Sequence, residues 1–158
     1  MFIGKGLHSI VFSLGFNKVL KIFLDEPDYY TNRIINESKA EKHYTILPKI
    51  YKDFCFCGLR CCVIEKLKLK TIKCNTIINI LFKHKKDFDG KSILSIVKNN
   101  DCEKYDHLMN DAEKFVMKWA VTVRDTFMCL GIKELFPGDL TINNIGERNN
   151  GDIVYFDP

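Results

Sequence analysis

Gly138-Asp139-Leu140-Thr141-Ile142-Asn143-Asn144-Ile145, a polar turn over 147–152, and then Ile153-Val154-Tyr155-Phe156-Asp157-Pro158 form the stretch that decides the fold. Two short apolar runs around a polar turn predict a β-hairpin. Acidic positions bracket it, Asp139 before and Asp157 after. Asn144 follows Asp139 by five positions, and Asp157 follows Asn144 by thirteen.

Upstream of this hairpin the chain reads as mainly helical. Apolar Leu108, Phe115, Trp119, Val123, Phe127 and Leu130 recur at helical spacing and predict a long helix, capped by Asp101 or Asp106 and running to about Leu130. Shorter helices are expected over 75–85 and 91–98. The first sixty-odd residues read differently, as strands with one helix. Apolar residues over 3–12, interrupted by glycines, and Lys-Val-Leu-Lys-Ile-Phe-Leu over 18–24 predict two strands, with Gly15-Phe16-Asn17 supplying the turn. Asp25-Glu26-Pro27 ends the second, because proline cannot donate to a ladder. Residues 31–47 predict a helix stopped by Pro48, and 50–56 with 59–67 predict paired strands turning at Gly58.

Three further features lie in this N-terminal part. Gly4, Gly6, Ser9 and Val11 form a Gly-x-Gly-x-x-Ser-x-Val pattern, which suits a strand–turn–strand flap whose N–H groups approach phosphates without an intervening Cβ. An ordinary hairpin would also use such glycines. Lys21 sits among apolar neighbours in its strand, where a charge is costly unless an anion meets it. Glu37 and Glu41, one helical turn apart, share a face and are both candidates for that anion.

Taken in order, a glycine-rich flap, a strand lysine, a helix glutamate, an Asp-x-x-x-x-Asn loop and a later aspartate resemble the protein-kinase-like superfamily. The Gly138-Asp139-Leu140 form is similar to the aminoglycoside phosphotransferase and Rio-type branch and to small kinase-like phage proteins. The fold class this implies is α+β: a β-rich N-lobe over 1–67 and a truncated, mainly helical C-lobe over 68–158 that ends at the metal-binding Asp157. About the first two-thirds of a kinase domain is covered.

The resemblance implies ATP and Mg²⁺ as cofactors and transfer of the γ-phosphate to a protein Ser/Thr hydroxyl, the chain's own included. It assigns Asp139 to the attacking hydroxyl, and Asn144 and Asp157 to Mg²⁺, an ion that prefers oxygen ligands. Lys21 would hold the phosphates with Glu41 as its partner, Glu37 being the alternative. Ile64 and Glu65 resemble the adenine hinge, with the Glu65 carbonyl and the Leu67 amide as contacts. Thr141 departs from the pattern, since lysine or histidine usually stands there near the transferred phosphate; losing that contact slows transfer. A second expectation is therefore a pseudokinase, a module that engages a host protein or kinase, or a second copy of itself, without turnover.

Composition sets the remaining bounds. With 158 residues, 46% hydrophobic and 28% charged, the chain reads as an ordinary globular protein. A net charge of +4 is too mild for a dedicated nucleic-acid binder. No apolar run approaches the ~20 residues of a membrane span, and the N-terminus lacks signal-peptide zones. Seven cysteines without such a signal read as reduced thiols in a cytoplasmic protein, the host cytoplasm if the Asn/Lys/Ile-rich composition marks a viral chain. Cys55, Cys57, Cys61 and Cys62 lack a common zinc spacing, and Cys61 and Cys62 in one strand point to opposite faces.

Overall fold

A computed structural model of the chain describes residues 1–5, 8–27, 32, 34–36, 46–131 and 144–155. Phe2–Lys5 (β1), Ser9–Gly15 (β2), Lys18–Phe23 (β3), Ile50–Phe56 (β4) and Leu59–Glu65 (β5) build an antiparallel sheet in the order β1-β2-β3-β5-β4. The β2–β3 turn is tight because Phe16 and Asn17 both take positive φ, 47° and 56°, the conformation that matches the twist of the flanking strands. Gly58, at φ 78°, serves the β4–β5 turn as expected.

Asn32 and residues 34–36 are helical, within the helix expected over 31–47. Ile35 packs with Phe23, Ile50 and Cys62 to form a small core on one face of the sheet. Ile34 belongs instead to the larger core, so this helical segment contributes to both.

The second half is built on Ile72–Phe82 (α1), Ile93–Lys98 (α2), Cys102–Tyr105 (α3) and Asp111–Cys129 (α4), with 3₁₀ turns at Lys86–Phe88 and Asp106–Leu108. Several boundaries differ from expectation: the strand expected over 3–12 is two strands, β1 and β2, and the helix expected over 91–98 starts at Ile93. α1 begins at Ile72 rather than 75, because the Thr71 hydroxyl accepts from the Cys74 N–H and starts the helix early. It also ends at Phe82, with Lys83 extended. The long helix is capped by neither Asp101 nor Asp106. Asn110 caps it through a reciprocal box with Glu113, while Asp101 and Asp106 flank the short α3 before it.

Lys68–Leu69 (β6), Ile145–Glu147 (β7) and Ile153–Tyr155 (β8) form a second sheet. The β7–β8 hairpin stands where the sequence places it, but β6 is an addition. The strand expected to run on to Leu67 stops at Glu65, and the chain changes sheets before Lys68. Trp119 of α4 donates its indole N–H to the Ile153 carbonyl at 3.2 Å, and Phe127 meets Tyr155 edge-on at 5.0 Å. The hairpin thereby rests on the helical core.

Candidate functional site

Strand register assembles the predicted nucleotide residues. Gly4 pairs with Val11, Val11 with Lys21, Lys21 with Cys62, and Cys62 with Asp53, giving one row across all five strands. Side chains directly opposite one another share a face. Ser9 pairs with Phe23 and Ile64 with Val19, two residues either side of Lys21, so they lie on this same face. The Lys21 ammonium stands 5.1 Å from the Phe23 ring centroid, consistent with that placement. It is also the face on which Ile35 packs. Residues scattered from 4 to 64 are thus brought onto one surface.

Asp53 and Arg60 close the far side of this face with a two-pronged pair at 3.0 and 2.9 Å, and the Cys62 thiol points at Asp53. Cys61 lies on the opposite face, where burial pushes its thiol pKa up. Among the described residues, no group of three His, Cys, Asp or Glu side chains is placed to hold a metal ion.

The hinge is more firmly held than its sequence suggests. Glu65 donates its N–H to the Lys49 carbonyl at 2.9 Å, and Lys66 donates to the Asn17 carbonyl at 2.8 Å. These bonds use neither the Glu65 carbonyl nor the Leu67 amide that the resemblance assigns to adenine. The Glu65 carboxylate is occupied. It accepts from the Lys49 N–H at 3.0 Å and from the Arg148 guanidinium at 2.6 to 3.0 Å. Arg148 also donates to the Leu47 carbonyl at 3.0 Å, and Tyr155 donates its N–H to the Ile46 carbonyl at 2.8 Å. The β7–β8 hairpin is therefore stitched both to the hinge and to the segment following the helical stretch. Outside the hinge, Asn17, Tyr51, Lys66 and Arg148 border a shallow depression of about 280 Å³.

Leu67 packs against β7 so closely that a Cβ on Gly146 would lie 2.7 Å from the Leu67 Cβ. Gly146 and Arg148 position the hinge, and neither carried a signal in the sequence. A glycine in a three-residue strand and an arginine in a polar turn acquire meaning only from what folds against them.

Asn144, half-buried, immediately precedes β7. Because Ile145 pairs with Tyr155, Asn144 and the end of β8 emerge at the same end of the hairpin, two residues before Asp157. Gly6, Glu37, Glu41, Thr141, Asp139 and Asp157 lie outside the described residues. The local chemistry at Asn144, an amide oxygen at a strand terminus, is of the kind a hard cation accepts.

No described helix is long and apolar enough to cross a membrane. No protein-family model matches the chain, and no curated protein is significantly similar to it.

Proposed function

We propose that this chain is a kinase-like protein that binds ATP with Mg²⁺ and transfers the γ-phosphate to a protein Ser/Thr hydroxyl, its own included. The observation that carries the reading is the cross-strand row Gly4–Val11–Lys21–Cys62. It puts a lysine on the middle strand, beside a glycine-bearing edge hairpin, on one face of an antiparallel sheet. That sheet is followed by a hinge and by a hairpin that Asn144 enters. The same parts in the same order make up the kinase template.

In this reading Lys21 holds the nucleotide phosphates, with Glu41 fixing it. The Glu65 carbonyl and Leu67 amide face the adenine edge. Asn144 and Asp157 offer oxygen atoms to Mg²⁺, which when bound neutralises phosphate charge. Asp139 orients the attacking hydroxyl and takes up its proton. The Arg148–Glu65 contact keeps the hinge and the Asn144 hairpin in fixed relation, which matters because transfer depends on positioning more than on covalent chemistry.

A thermal-shift titration with ATP, with and without Mg²⁺, tests the binding step. At 100 times its dissociation constant a ligand stabilises the fold by about 2.7 kcal/mol. The shift should appear in the wild type and shrink in Lys21→Ala; no shift in either condition would remove the basis for the reading. Radiolabel transfer from ATP tests turnover, and labelling no greater than in Asp139→Ala would leave a nucleotide-binding pseudokinase. Thr141 favours that second reading, because a neutral side chain stands where the family usually places a cation.

A further inference from the structure

In its two central rows the face of the five-stranded sheet opposite Lys21 is apolar on β2, β3 and β5, with Lys5 and Lys52 at outer ends of those rows. Ile10, Ile22, Cys61 and Phe54 are successive cross-strand neighbours, forming one row. Phe2, Phe12, Leu20, Val63 and Lys52 form the next. In an antiparallel sheet with one face in water, outward positions are normally polar. Here the central outward positions of β3 and β5 are Leu20, Ile22, Cys61 and Val63, with the Lys18–Glu65 pair following at the hinge end, so the middle of these strands reads as though both faces were covered. Ile35 packs on the other face, and among the described residues no helix covers this one.

We infer that this face is the interface of a homodimer in which two copies stack sheet on sheet. Its area is sufficient. Phe2, Leu14, Phe56 and Leu59 are 57, 48, 66 and 38% exposed. Together with the half-buried side chains of the two rows, Cys61 excepted because it is only 2% exposed, they leave roughly 600 Å² of apolar surface in water, taking a whole aromatic side chain as about 200 Å². That is the upper end of what a monomer leaves as one patch, and with its polar rim it approaches the ~800 Å² per partner of a stable interface.

The edges of the sheet also complement each other. The β1 edge carries the Phe2–Phe12 pair, edge-to-face at 5.9 Å, and the β4 edge carries Lys52. A two-fold axis running along β3, the middle strand, between the stacked sheets lays each β4 edge over the partner's β1 edge. Each Lys52, whose ammonium stands 5.2 Å from the Phe54 ring centroid of its own strand, then meets a further aromatic pair, a favourable cation–π arrangement. The two lysines stay apart by about four strand spacings, roughly 19 Å, beyond the screening length at physiological salt. Aligned stacking of this kind is how sheets bury apolar faces in sandwiches.

Sedimentation velocity of the full chain from about 1 to about 100 µM tests this. Reducing buffer is required, because Cys55, Cys57 and Cys129 are exposed. The expected result is a concentration-dependent species of twice the 18.4 kDa chain mass. Phe12→Glu should abolish it, while Phe115→Glu, at an exposed position on α4, should not. Lys52→Glu, a surface change that leaves the fold intact, should raise the dimer dissociation constant about tenfold by removing two cation–π contacts. A monomer throughout this range, including one that associates only with a different protein, overturns the inference. So does a dimer indifferent to both Phe12→Glu and Lys52→Glu.

Discussion

Arg148 grips Glu65 across 83 residues of sequence, with its Nη2 2.6 Å from one carboxylate oxygen and its Nε 2.9 and 3.0 Å from the two oxygens. The side chains are only 15% and 14% exposed, so the pair is largely removed from water. Its attraction is correspondingly stronger than that of a surface bridge, and so is the penalty for leaving either charge alone.

Arg148→Ala should therefore destabilise the fold by about 2 to 3 kcal/mol, since it strands the Glu65 carboxylate and removes a donor from the Leu47 carbonyl. Arg148→Lys should recover only part of this, because an ammonium cannot reproduce the planar fork. Urea unfolding of both variants measures the effect. In the Arg148→Ala/Glu65→Ala double variant the loss should be smaller than the sum of the single losses.

Gly146→Ala tests the close approach of β7 and the Leu67 segment that leads into β6. The added Cβ would stand 2.7 Å from Leu67 Cβ, so β6 must move away. A loss of about 1 to 3 kcal/mol is expected. Combining it with Leu67→Ala should return only the share due to the Leu67 Cδ1, which would lie 3.0 Å from the added Cβ, because alanine keeps the Cβ that is struck. A Gly146→Ala protein as stable as wild type would show that the hinge is free to shift.

The caps of the long helix separate what the sequence offered from what the fold uses. Asn110→Ala should cost about 1 kcal/mol, as it opens the box in which Asn110 and Glu113 satisfy each other's backbone N–H groups. Asp106→Ala should stay within about 0.5 kcal/mol, since its ion pair with Lys114, at 3.6 Å, is exposed. Thermal unfolding of the two variants side by side decides this.

Glu113 also gives a pH dependence. Burial alone would raise its pKa, but the Lys85 ammonium at 2.7 Å and the Asn110 N–H outweigh that and hold it below the usual carboxylate value of 4.5. A carboxyl depressed in the folded state contributes stability above its unfolded pKa, and that contribution is lost as pH falls through the folded value. Wild type and Glu113→Gln should therefore differ in urea midpoint at pH 7. They should converge as pH drops below about 4.

Much of this architecture can be read from local chemistry. The turns at Gly15-Phe16-Asn17 and Gly58, the stop at Pro27 and the final hairpin follow from backbone preferences that a few neighbouring residues specify. Helix starts are less legible, because Thr71 and Asn110 compete with nearby acidic residues that look equally suitable as caps. Glu65 illustrates the limit for the site. In sequence it is an acidic residue near a hinge; in the fold its carboxylate is committed to Arg148 and its N–H to Lys49.

Sequence by itself determined the hairpins around Gly15-Phe16-Asn17 and Gly58, the order of the candidate residues and the spacing of Asp139, Asn144 and Asp157, because those depend on turn chemistry and residue type. Tertiary structure decided which of them meet. Register aligned Gly4, Val11 and Lys21, Gly146 let β6 close on β7, and Arg148 tied the hairpin to Glu65. It also left an apolar sheet face without a covering helix among the described residues, because alternation along a strand tells which residues share a face but not what covers it.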